Sequence, residues 1–140
     1  MPGSDPTHWL HRLTPDEWLA AADTELRHCA EALARRAVRP GVTHARRAAG
    51  MALNAMLALA EDERFGRSYM DHVVALAASD DDDDGTPPDV RAAARLLRET
   101  PPLPPPLITL GKPDQQVLES ARRIVAHAAE RVARQRAPTS

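Results

Sequence analysis

Aromatic residues are nearly missing from this chain: Trp9, Trp18, Phe65 and Tyr69 are the four present among 140 positions. β-branched runs are missing too, which removes the material strands are made from. Cys29 is the single cysteine, so a disulfide framework and a cysteine metal site within one chain are both excluded. The longest apolar run, residues 48–60, is too short to span a bilayer and is broken by Asn54. The first twelve residues, MPGSDPTHWLHR, lack the apolar centre of a signal peptide. A cytoplasmic protein with no membrane contact is expected. Lysine occurs once, as Lys112, against 17 arginines, the bias of a GC-rich bacterial genome. With a net charge of −2, the chain is not a general nucleic-acid binder.

What is abundant is alanine and leucine, arranged at helical spacing. Thr14, Pro15 and Glu17 form a capping-box start, and Leu13 and Trp18 are placed as a hydrophobic staple. Trp18, Ala22, Leu26, Cys29 and Leu33 follow on one face until Arg39-Pro40-Gly41, where the helix is expected to stop. A second helix is expected from Thr43 to about Glu61, buried through Ala45, Ala48, Ala49, Ala52, Ala55, Met56 and Leu59. Its narrow remaining stripe, Arg47, Gly50, Asn54, Ala58 and Glu61, is left to solvent or to a second subunit.

Ser68 and Asp71 cap a short third helix over 69–79, and the acidic run Asp80–Asp84 makes a solvated loop. A fourth helix restarts at Thr86, Pro87 and Asp89 and ends near Glu99. Proline forbids helix through 100–113, and a last helix runs from Asp114 to about Arg136. Three long and two short helices joined by turns imply an all-α antiparallel helical bundle. It occupies residues 14–136, with tails at 1–13 and 137–140.

The alanine-rich HARRAAGMALNAMLAL helix, the GRSYMDHVVAL segment after it and the closing VLESARRIVAHAAERVA helix resemble the HEPN domain (higher eukaryotes and prokaryotes nucleotide-binding). The resemblance covers roughly residues 14 to 134. It implies one of two functions. Some members are metal-independent ribonucleases, dimers in which an arginine stabilises transition-state charge and a histidine four to six residues on moves a proton. Others are non-catalytic binding or assembly modules, some beside a nucleotidyltransferase or antitoxin partner.

Arg67 and His72 have the ribonuclease spacing, and so do Arg39 with His44 and Arg122 with His127. About two such matches arise by chance in a chain this rich in arginine. Ser68, which follows Arg67, is accounted for as a helix cap. The expectation is a non-catalytic binding module for a nucleotide or protein partner, acting as a homodimer. A ribonuclease using Arg67 and His72 is the alternative, and the one case in which nucleic acid is a partner. A structural assembly protein is the third possibility.

No cofactor and no metal is expected. His8 and His11 lack a third ligand nearby, and Asp80–Asp84 lacks the spacing of a calcium loop. Pro101–Leu107 reads as a stiff connector.

One charge anomaly stands out. No acid occurs between Glu31 and Glu61, while Arg39, His44, Arg46 and Arg47 crowd the start of the second helix. Cations are disfavoured there, so an anion must compensate. Either a phosphate-bearing ligand supplies it, or an internal carboxylate does; the acidic loop at 80–84 is the expected internal source.

Overall fold

The computed structural model describes residues 12–59, 65–78, 86–99 and 113–136. The tail histidines, the acidic loop and the proline connector lie outside these. The described residues form five helices: α1 (Pro15–Ala34), α2 (Val38–Leu59), α3 (Tyr69–Ala77), α4 (Pro88–Glu99) and α5 (Pro113–Arg136). No strand occurs among them.

α1 begins as its sequence dictates. Thr14 accepts from the Glu17 amide at 3.1 Å, and Glu17 accepts from the Thr14 amide at 2.8 Å. Leu13 packs beside Trp18 in a small cluster with Ala55 and Val132. Where α1 ends differs from expectation. Arg36 adopts φ 62°, the left-handed conformation, and the Ala37 amide donates to Ala32 O at 2.8 Å while the Arg36 amide donates to Leu33 O at 2.9 Å. This is the Schellman closure that glycine usually provides, so α1 stops before Arg39-Pro40-Gly41.

Those three residues instead open α2, which starts at Val38 rather than Thr43. Pro40 is tolerated because the first-turn amides have no intrahelical acceptor to lose. Gly41 lets the two helices approach closely. A Cβ there would come within 2.4 Å of Leu33 Cδ2.

α2 packs most extensively on α1 and α5 and also meets α3 and α4. Ala45, Ala48, Ala49, Ala52, Leu53 and Ala55 are all fully buried. Small side chains let neighbouring helices close in on this helix. The stripe left to solvent or to a second subunit is corrected in part: Arg47 is exposed, but Gly50 and Asn54 are buried within the chain. The start of α3 covers them, with Tyr69 against Gly50 and His72 against Asn54. α3 and α4 pair on one side, and α5 contributes Val117, Ala121, Ile124, Val125, Ala128 and Val132 to the core. No described helix is long and apolar enough to cross a membrane.

Candidate functional site

Two groups of polar residues converge on α2, one at its middle and one at its start. The middle group is built by the turn into α3. Gly66 takes φ 66°, which reverses the chain after buried Phe65. Ser68 then caps α3: it accepts from the Asp71 amide at 2.9 Å, and Asp71 accepts from the Ser68 and Arg67 amides at 3.2 and 3.3 Å. These backbone bonds hold the Asp71 carboxyl below the ordinary carboxylate range.

One turn into α3, His72 is fully buried. Its Nδ1 lies 2.6 Å from Phe65 O and its Nε2 lies 2.7 Å from the Asn54 side-chain amide. Burial pushes the imidazole below its usual pKa, so the ring is neutral near pH 7. The carbonyl can only accept, so Nδ1 carries the hydrogen and Nε2 must accept. The Asn54 atom at that distance is Oδ1; a half-turn of the amide sets its NH2 on Nε2 and leaves the oxygen as the atom without a partner. Asn54 makes one bond to His72 and keeps a second amide atom, fully buried, without a hydrogen-bond partner among the described residues.

Asn54 also lines an open pocket of about 370 Å3 with Arg12, Trp18, Arg67, Ser68 and Tyr69. Arg12 and Arg67 are exposed, and neither guanidinium has an ion pair among the described residues. Arg67 lines the pocket, whereas His72 is sealed in the core and neither of these two bonds reaches Arg67.

At the start of α2, the anion that the arginine cluster calls for is Glu25 of α1. It is buried at 8% exposure. His44 Nδ1 lies 2.6 Å from Glu25 Oε1, and Arg47 Nη2 lies 3.6 Å from Oε2. An internal carboxylate was one of the two expected answers, but α1 supplies it; the expected source, Asp80–Asp84, lies outside the described residues. Arg46 points elsewhere, donating from Nε to Leu97 O at 2.9 Å, and Arg39 is exposed on the first turn. His44 and Arg47 therefore meet on one carboxylate, without Arg39 or Arg46.

The sequence reading missed Glu25 and its neighbour His28. Their i, i+3 spacing on α1 was visible, but Glu25 sits between apolar positions and passes for a surface residue. Cys29, one residue beyond His28, is inert: burial pushes its thiol up to about 11 against the opposing pull of Arg122. No protein family, no curated protein and no solved structure matches this chain.

Proposed function

We propose that this chain is a non-catalytic, HEPN-like helical binding module that takes a phosphate-bearing ligand of the nucleotide class. The ligand occupies the pocket beside Asn54. The carrying observation is the employment of His72: a fully buried imidazole with both nitrogens engaged is a strut between α2, Phe65 and α3, not a proton carrier facing solvent. Two arginines with no ion pair among the described residues are left at the pocket, with the rings of Trp18 and Tyr69. Guanidiniums suit phosphate oxygens, and aromatic rings suit a base. The Arg67 and Ser68 amides do not take part, since the Asp71 carboxylate already occupies both.

Calorimetric titration with adenosine triphosphate tests this reading. Saturable binding is expected, and Arg67→Ala or Arg12→Ala should weaken it by roughly tenfold, the worth of a charge-assisted hydrogen bond. Wild-type protein should leave RNA intact in the absence of metal. No binding of the nucleotide would remove the proposal. RNA cleavage lost in a still-folded His72 variant would replace it with the ribonuclease.

A further inference from the structure

The geometry points to a mononuclear site for a divalent transition-metal ion, held by Glu25, His28 and His44. Their ligand atoms all lie within 4.8 Å of one another. Glu25 and His28 sit one turn apart on α1, and His44 reaches them from the second turn of α2. The two imidazoles stand edge to face, ring centroids 5.2 Å apart at 63°. His28 makes no hydrogen bond among the described residues, so its ring nitrogens are left to take an ion beside the buried carboxylate.

Ligand chemistry narrows the ion. Two imidazoles and one carboxylate form a donor set used for zinc and for ferrous iron, with the remaining positions open to water. Tetrahedral bonds of about 2.0–2.2 Å place ligand atoms roughly 3.3 Å apart. The His44 Nδ1–Glu25 Oε1 distance of 2.6 Å is shorter than that, and the 4.8 Å limit is longer. Side-chain rotation closes the difference, since His28 is exposed and the His44 side chain is 28% exposed.

Binding replaces the His44–Glu25 hydrogen bond. Nδ1 turns its lone pair to the ion and the neutral ring carries its hydrogen on Nε2. Arg47 stays on Oε2, leaving Oε1 for the metal; at 48% exposure its charge is screened by water and opposes the ion weakly. None of the three ligands lines the nucleotide pocket, and the test does not depend on that reading.

The test uses the full chain, stripped with chelator and titrated with Co2+ and Zn2+. One ion per chain is expected, with a visible Co2+ ligand-field band. His28→Ala, His44→Ala and Glu25→Gln should each weaken binding by about tenfold or more. A His8→Ala/His11→Ala double variant should bind as wild type does. Because His28 is exposed, His28→Ala keeps the fold and the result stays readable even where Glu25→Gln does not fold. Absence of binding would overturn the site. Binding that survives His28→Ala but disappears with His8 and His11 would also overturn it, by moving the ion to the tail.

Discussion

His72 and Arg67 show how differently two residues of one motif can be employed. Arg67 is exposed and its side chain holds nothing up, so Arg67→Ala should change stability by no more than about 0.5 kcal/mol. His72→Ala is another matter. It strips Phe65 O and the Asn54 amide of a partner inside the core and leaves a cavity where the ring stood. A loss of roughly 2–5 kcal/mol is expected in urea unfolding. Equal stability of the two variants would mean that His72 is not the strut described above. Sequence spacing treats the pair as alike, because spacing carries no information on burial. The same limit hid Glu25, whose partners His44 and Arg47 come from another helix.

At the scale of the helix, the starts of α1 and α3 were legible because capping is local: Thr14 with Glu17 and Ser68 with Asp71 contain their own explanation. The α1–α2 junction was not. Proline and glycine looked like a stop, yet Arg36 had already closed α1 in a conformation arginine seldom adopts. The covered stripe on α2 was equally illegible, since only tertiary packing sets Tyr69 on Gly50. That contact gives a sharp expectation. A Cβ at Gly50 would lie 2.3–2.5 Å from Tyr69 Cβ and its ring, so the join of α3 to α2 must shift. Gly50→Ala should destabilise by about 1–3 kcal/mol despite the better helix propensity of alanine. Gly41→Ala meets Leu33 Cδ2 and Cγ at 2.4 and 2.8 Å, atoms of one flexible side chain, and should cost less. Thermal unfolding of the two variants compares them, and a more stable Gly50→Ala would contradict the packing described.

For the molecule as a whole, burial of histidine sets the response to pH. His72 and His127 are both held below the ordinary imidazole value, chiefly by burial. The folded state therefore binds fewer protons than the unfolded chain once pH falls beneath about 6.5. Stability should be greatest above that value and decline as the medium acidifies, with a further loss below about pH 4 as Asp71 and Asp89, both held under the ordinary carboxylate value, take up protons. Unfolding temperatures measured between about pH 8 and pH 5 check the sign; a rise on acidification would refute it. The all-helical class was legible throughout, because alanine-rich periodicity admits few other folds.

The closure at Arg36 also bears on how the chain finds this arrangement. Three residues, Arg35 to Ala37, separate α1 from α2, and the resulting hairpin is the most extensive helix pairing in the molecule. Joining ends so near in sequence costs little loop entropy, whereas α5 reaches α2 only across residues 60–112. Local connectivity of this kind favours rapid assembly. The hairpin also carries Glu25, His28 and His44 entire, so the cheapest contact to form brings the three proposed ligands together before the remaining helices dock.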